Sequence, residues 1–379
     1  MNDTAAGAPR LSDRQRISWL RLIRTPNVGP ATFRDLINRF GSAEAALEIL
    51  PELMVSSGAG RSVRIPTASE AEAELEAAER IGARLIGIGE ADYPPLLRRM
   101  DNPPPLLAVK GTAAIFSLPP VAIVGARNAS LAGIKMARLL ATELGREGDA
   151  VISGLARGID TAAHQGSLST GTVAVLAGGL DRPYPPENIE LADEIAERGG
   201  AVVSEMPFGW EPRAQDFPRR NRIIAGLALG LAVIEAAKRS GSLISARLAG
   251  EMGRLVFAVP GSPLDPRAAG ANGLLKDGAI LVTETSDITD AIKPLTGPSI
   301  SPRVALAEPP DFSSIPPAGD SDRERLVEAL GPTPVGVDEL IQHTGLHPAQ
   351  AFMILLELDL AGRLERHSGG AVSLVLADP

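Results

Sequence analysis

The sequence predicts an α/β fold of the doubly wound class, with a mostly parallel sheet flanked by two small modules. Three observations carry this. Between about residues 82 and 293, short β-branched runs alternate with helical stretches, and near-continuous apolar strands separated by helices indicate a parallel sheet covered on both faces. Residues 11 to about 80 show helical periodicity only. The last segment, 320–379, reads as three helices followed by a hairpin.

In chain order, the helices of a first domain, 10–80, are "RQRISWLRLIRT", "ATFRDLINRFG", "SAEAALEIL" and "SEAEAELEAAERIG", separated by Pro and Gly turns. The strands of the second domain, 82–293, are "RLIGIG", "VAIVG", "DAVISG", "TVAVLAGG", "AVVSEM", "LAVIEAA", "LVFAVPG" and "AILVTE". Residues 294–319 hold seven prolines and little periodicity, which predicts a solvated tether. Beyond it, "DRERLVEAL", "GVDELIQHTG" and "HPAQAFMILLELDLAGRLER" give three helices, and "RLERHSGGAVSLVL" gives a hairpin turning at Gly369-Gly370. This succession suggests a small winged helix. No repeat of 20 to 50 residues is apparent.

A chain of 379 residues is long enough for two or three domains. It has no run of 18 apolar residues, so a soluble protein without a membrane span is expected. The start, "MNDTAAGAPRLSDRQR", lacks a basic segment followed by an apolar stretch, and no secretory signal is expected. The absence of cysteine removes disulfides, thiolate zinc sites and cysteine nucleophiles, and suits the cytoplasm. Net charge is −9, so a polyanion site must be local.

In a parallel sheet the strand-to-helix turns lie at the carboxyl edge, where such folds bind ligands. Three turns there have unusual chemistry: Gly125-Ala126-Arg127, Ser153-Gly154-Leu155-Ala156-Arg157-Gly158, and Ser240-Gly241-Ser242. Each offers backbone N–H groups at a helix start, and two add an arginine. Neither G-x-G-x-x-G nor G-x-x-x-x-G-K-[ST] occurs, so no dinucleotide or ATP cofactor is indicated. The stretch "DFPRRNRIIAGL" then places Arg219, Arg220 and Arg222 in the first turns of a helix, with Asp216 as N-cap and Pro218 in the opening turn. Cations there oppose the helix dipole at roughly 0.3 to 1 kcal/mol each. Either phosphate oxygens offset them, or Glu205, Glu211 or Asp216 does so internally. Trp210 and Phe217 bracket Arg213 and are candidates for stacking on bases, against core packing.

These residues together resemble the DprA/Smf family of bacterial DNA-processing proteins. The likeness is densest from Tyr93 to about Val282: "YPPLLRRMDNPPPLLAVKG", "VAIVGARNAS", "VISGLARGIDTAAH", "TVAVLAGGLDRPYPPEN", "VVSEMPFG", "FPRRNRIIAGL", "SGSLISARLA", "VFAVPGS" and "GANGLLKDGA". It implies an extended Rossmann-like domain that binds single-stranded DNA, forms a homodimer, and loads the recombinase RecA during natural transformation, without enzymatic activity. It implies a DNA pocket at Gly125, Arg127, Ser153, Gly154, Phe217, Arg220, Asn221 and Arg222, lined by Ser240 and Ser242; the turns and the arginine cluster read above add Arg157, Arg219 and Gly241 as candidate phosphate contacts. Ala126 stands where the family commonly has serine, so a hydroxyl contact is missing. The N-terminal helices resemble the family's SAM-like domain, and "PNVGPATFRDLINRFG" resembles a helix-hairpin-helix turn whose Gly29 would expose N–H groups to a phosphate.

The rival class is a nucleotide hydrolase of the lysine-decarboxylase-like phosphoribohydrolase type. Its Pro-Gly-Gly-x-Gly-Thr-x-x-Glu motif is not reproduced at "RSGSLISARLAGE", although Glu251 lies farther along. His164, four residues after Asp160, reads as a helix-stabilising pair rather than an acid–base group. The third helix of the terminal module contains no Lys or Arg and carries Glu357 and Asp359, which speaks against duplex reading and for protein docking or structural capping.

Overall fold

A capping box starts the first helix: Ser12 accepts from the Gln15 backbone N–H, and the Gln15 side chain reaches back to Ser12, satisfying donors that a helix start leaves open. α1 (Asp13–Ile23), α2 (Pro30–Phe40), α3 (Ala43–Ser56) and α4 (Ala68–Arg80) follow in this computed structural model, which describes residues 10–56, 64–296 and 318–375.

The α/β region runs β1 (Ala83–Gly87), α5 (Pro95–Arg98), β2 (Leu106–Gly111), β3 (Pro120–Val124), α6 (Leu131–Glu147), β4 (Ala150–Ser153), α7 (Ile159–Ser167), β5 (Thr172–Val175), α8 (Ile189–Glu197), β6 (Ala201–Ser204), α9 (Asp216–Leu227), β7 (Gly230–Val233), α10 (Gly241–Glu251), β8 (Leu255–Ala258), α11 (Ala269–Lys276), β9 (Ile280–Leu281) and α12 (Ser286–Ile292). The sheet order is β1-β2-β6-β5-β4-β3-β7-β8-β9. From β6 to β9 the strands are parallel, whereas β2 pairs antiparallel with both β1 and β6. The β2 strand was not anticipated. Its apolar run follows three prolines, a turn signal, and only its pairing with β6 makes it a strand.

The two-residue period of the strands divides the core. Val121 and Ile123 face a layer with Leu140 and Leu144 of α6, while Ala122 and Val124 face Ile223 and Ile224 of α9 and Ala246 of α10. From β3 the chain steps outward through β4, β5 and β6, then returns to the other side of β3 as β7. The turns after β3 and β7 therefore diverge, and the carboxyl edge opens between them.

The remaining elements are α13 (Asp320–Ala329), β10 (Val335–Gly336), α14 (Val337–Thr344), α15 (Pro348–Leu360), β11 (Leu364–Arg366) and β12 (Ala371–Leu374). The expected hairpin is present, turning where Gly369 and Gly370 both adopt φ of 75°, a left-handed conformation that glycine takes without a Cβ penalty. β10 adds to β12 as a third strand. Most of the predicted proline-rich tether, residues 297–317, lies outside the described residues. Contacts divide the chain into two units, residues 73–300 and residues 11–72 with 301–379. The terminal helices are thus not an isolated module: Leu356 and Leu360 of α15 belong to the core formed by Leu22, Phe33, Leu36 and Leu50. Among the described residues no helix is long and apolar enough to cross a membrane.

Asp149, just before β4, is buried, and burial together with the nearby charge of Glu147 pushes its carboxyl up to about 6. Because the folded value exceeds the unfolded one, the protonated form stabilises the fold below about pH 4, and that contribution is lost as pH rises through about 6. Asp149→Asn is expected to raise unfolding free energy at pH 7.5 by about 1 to 3 kcal/mol and to match wild type near pH 3.5, as read by urea denaturation.

Candidate nucleic-acid interface

A cleft of about 840 Å³ lies at the carboxyl edge where the chain reverses. Gly125 and Arg127 reach it from the turn after β3, Phe217, Arg220 and Asn221 from α9, and Ser240, Gly241 and Ser242 from the start of α10. Each enters for a local reason. Gly125 is required by packing, since a Cβ there would lie 2.6 Å from Ile159 Cγ1. Asn221 donates to the Gly241 carbonyl (3.3 Å) and ties α9 to α10. Ser240 caps α10 by accepting from the Ser242 N–H (3.3 Å), and the two hydroxyls share a hydrogen bond of 2.7 Å.

Arg220 is the buried anchor of the cleft. Only 6% exposed, it donates to the carbonyls of Gly154 and Val175 at the ends of β4 and β5. A Cβ on Gly154 would sit 2.3 Å from Arg220 Nη1, so the glycine makes room for the guanidinium. Burial pulls this guanidinium down to about 10, with Asp160 favouring its charge, so it stays cationic at neutral pH. Phe217 packs between two cations, its ring centroid 5.0 Å from Arg127 and 5.9 Å from Arg220, with the exposed Tyr184 ring edge-on at 5.8 Å. The phenyl group thus lines the cleft and stacks internally as well.

The other arginines of the opening helix turn behave differently. Arg219 Nε donates to Glu205 Oε1 (3.1 Å), and Arg222 donates to the other oxygen of the same carboxylate and to the Asn102 carbonyl (3.2 Å). The adverse dipole is offset by Glu205, one of the carboxylates foreseen for this task, and the two side chains turn away from the cleft lining. Asp216 is the first residue of α9 rather than its N-cap, which is Gln215. Its carboxylate turns back instead, accepting from Trp210 Nε1 (2.9 Å) and the Arg213 N–H (2.8 Å). Arg213 stacks on Trp210 at 4.7 Å.

The second glycine turn is also internally satisfied. Ser153 is fully buried and donates to the Ile123 carbonyl (2.6 Å), so its hydroxyl ties β4 to β3. The N–H groups of Gly154 and Ala156 are not free for an anion: both donate to Asp160 Oδ2, at 3.1 and 3.3 Å. Burial raises the Asp160 carboxyl, opposed by Arg220 and those N–H groups. Arg157 pairs with Glu187 and lines a smaller neighbouring cavity of about 160 Å³ with Arg127, Tyr184 and Phe217. His164 turns to Thr172 Oγ1 (2.8 Å) and is held neutral, burial and Arg220 pulling it down to about 3. Glu251 pairs with Arg247 (2.7 Å), about 9 Å along α10 beyond Ser245, the last α10 residue lining the cleft.

Sequence reasoning missed Arg239, Arg267 and Tyr184, all of which line the cleft. Arg239 directly precedes the Ser240-Gly241-Ser242 turn, so its position was a usable signal. Arg267 is delivered by a distant loop and held by Asp265 (2.8 Å), which no local pattern announces. Arg127 and Arg239 are exposed and have no salt bridge among the described residues.

The sequence matches the family described as DNA recombination-mediator protein A over residues 84–293. It also matches the DprA-like N-terminal HHH domain over 13–77 and the DprA winged helix domain over 308–370. The chain belongs to the DprA family. It is 38% identical to Protein Smf of Escherichia coli (strain K12) over 299 residues, 78% of this chain and 79% of that protein. It is 45% identical to the DNA processing protein DprA of Streptococcus pneumoniae over 198 residues, 52% of this chain and 70% of that one. The X-ray structure of DprA from Streptococcus pneumoniae superposes with a TM-score of 0.60 at 34% identity, covering 74% of this chain and 98% of that one. DprA of Helicobacter pylori, whose structure addresses its single-stranded DNA binding mode, gives 0.51 at 27% identity over 55% of this chain and 95% of that one.

Arg220→Met is expected to destabilise the α/β unit by about 3 to 5 kcal/mol, because it removes the cation that favours buried, ionised Asp160 and leaves two buried carbonyls without their donor. Arg219→Ala, at an exposed ion pair, is expected to cost under about 1 kcal/mol in the same denaturation measurement.

Proposed function

We propose that the protein binds single-stranded DNA in this carboxyl-edge cleft and acts as a recombination mediator that protects incoming strands and loads RecA during natural transformation. The observation that carries the binding site is the pairing of exposed Arg127 and Arg239, neither in a salt bridge among the described residues, with the Phe217 and Tyr184 rings in one cleft. Guanidinium groups without internal partners are available to phosphate oxygens, and a half-exposed ring offers a sequence-tolerant face to bases. The α10 start, with Gly241 exposed, adds backbone donors where a dipole already favours an anion. Gly125, Arg220, Asn221, Ser240 and Ser242 shape and hold the site. Ser153, Gly154 and Arg222, implied as contacts by resemblance, and Arg157 and Arg219, candidates from the turn and helix patterns, act in this reading through internal partners. RecA loading and a homodimer through the Rossmann-like domain rest on family membership. No catalytic activity is invoked: in this reading the cleft's single carboxylate, Asp160, serves its own turn.

Two unpaired arginines per protomer predict a log–log salt dependence of affinity for poly-dT of about −1.4, at about −0.7 per neutralised phosphate. Arg127→Ala should weaken binding to all single-stranded sequences alike and reduce the slope by about 0.7. Normal poly-dT binding by that variant in a gel shift would remove the site from consideration. RecA filament assembly on coated single strands tests the mediator role. Release of a free base from a nucleoside monophosphate by the purified protein would instead support the hydrolase reading.

A further inference from the structure

The acidic third helix of the winged helix has an explanation in the unit formed by residues 11–72 and 301–379. A winged helix lays this helix against nucleic acid, and a hairpin entering a helix offers its first N–H groups to a phosphate. In this unit the C-terminal end of that helix packs on that hairpin. Asn27, in the hairpin before α2, donates to the Leu360 carbonyl at the end of α15 (2.9 Å), and Gly362 lies against its amide. Thr32, in the first turn of α2, donates from Oγ1 to Asp359 Oδ2 (2.7 Å). Arg366 completes the contact, with Nε to Asp359 Oδ2 and Nη2 to Asp35 Oδ2, both 2.9 Å. Beneath these bonds Leu356 and Leu360 share a core with Leu22, Phe33 and Leu36.

The contact sets a carboxylate beside a helix start, held by the Thr32 hydroxyl and the Arg366 guanidinium. α2 begins at Gly29 with no side-chain cap of its own, and the anion beside its first turn is Asp359. The C-terminal end of α15, where the helix dipole is negative, supplies the Leu360 carbonyl to the same hairpin. Arg34 and Arg39 are exposed on α2, and charges of Asp35 and Glu357 act on them.

We propose that the C-terminal winged helix is an intramolecular cover for the N-terminal hairpin, with Asp359 in the place of a backbone phosphate. The end of α15, acidic and unsuited to a duplex groove, covers the hairpin that would otherwise meet a phosphate. Duplex DNA therefore gains this half of the protein only when the Asp359–Arg366–Asp35 clasp opens.

The test uses the full-length chain. Arg366→Glu sets three carboxylates together and should open the clasp, whereas Arg366→Lys should keep it closed. Opening is read as faster amide exchange in residues 27–33 and 353–361, and the charge reversal should raise affinity for a blunt duplex oligonucleotide about tenfold, within the range of ordinary coupling energies. Poly-dT affinity, which reports the carboxyl-edge cleft, should change less than about twofold. Faster exchange without a gain in duplex binding would overturn the masking, and unchanged exchange would overturn the clasp.

A covalent version guards against misfolding of the charge reversal. The chain has no cysteine, so Thr32→Cys with Asp359→Cys forms the only available disulfide across the contact. The oxidised protein should bind duplex as weakly as wild type and gain affinity on reduction. Equal duplex binding before and after reduction, with the disulfide verified, would sink the proposal.

Discussion

The buried guanidinium of Arg220 is the interaction on which the candidate site depends. It donates to the carbonyls that end β4 and β5, so a helix from one half of the doubly wound sheet is fastened to strands of the other half. That fastening sets the position of Phe217, three residues earlier on α9, whose ring then meets Arg127 from the β3 turn. A charge taken from water is tolerated here because it finds two carbonyls and the nearby carboxylate of Asp160, and Asp160 in turn holds the N–H groups of Gly154 and Ala156. The second glycine turn, Arg220 and α9 thus form one hydrogen-bonded assembly. Arg220 and Asp160 line the cleft although both are buried.

Charge placement follows a simple division. The molecule is acidic overall, and most of its arginines near the carboxyl edge are absorbed locally: Arg219 and Arg222 by Glu205, Arg157 by Glu187, Arg267 by Asp265. Arg127 and Arg239, which follow β3 and β7, keep their charge available. These are the strands on either side of the topological reversal, where the diverging turns leave room for a ligand. A local cationic cleft on an anionic protein gives attraction at one place and repulsion elsewhere, an arrangement that favours a defined path for a polyanion over indiscriminate binding.

The unit at the chain ends shows the same economy. Glu357 and Asp359 made α15 a poor groove reader on sequence grounds, and both are committed to internal arginines, Glu357 to Arg323 and Asp359 to Arg366. Helical acids that look unsuited to one partner are well suited to another. The reading of α15 as a docking or capping element is the one its contacts favour, and the partner surface is α2 and the hairpin before it.

Periodicity alone determined the α/β class, the parallel strand series, the two flanking helical modules and the hairpin, because buried strands and amphipathic helices print their spacing directly into the chain. Strand ends also located the three turns that edge the sheet. β2 and β10 escaped because a short run beside prolines or glycine becomes a strand only when a neighbour supplies its ladder. The arginine cluster "RRNR" was legible as a violation of helix electrostatics, yet its resolution was not: adjacent residues on a helix point about 100° apart, so Arg220 goes inward while Arg219 and Arg222 reach Glu205. Which cation stays free depends on carboxylates brought close by folding. Ion pairing between residues distant in sequence has no local signature, and that is why tertiary structure alone decided which residues make the site.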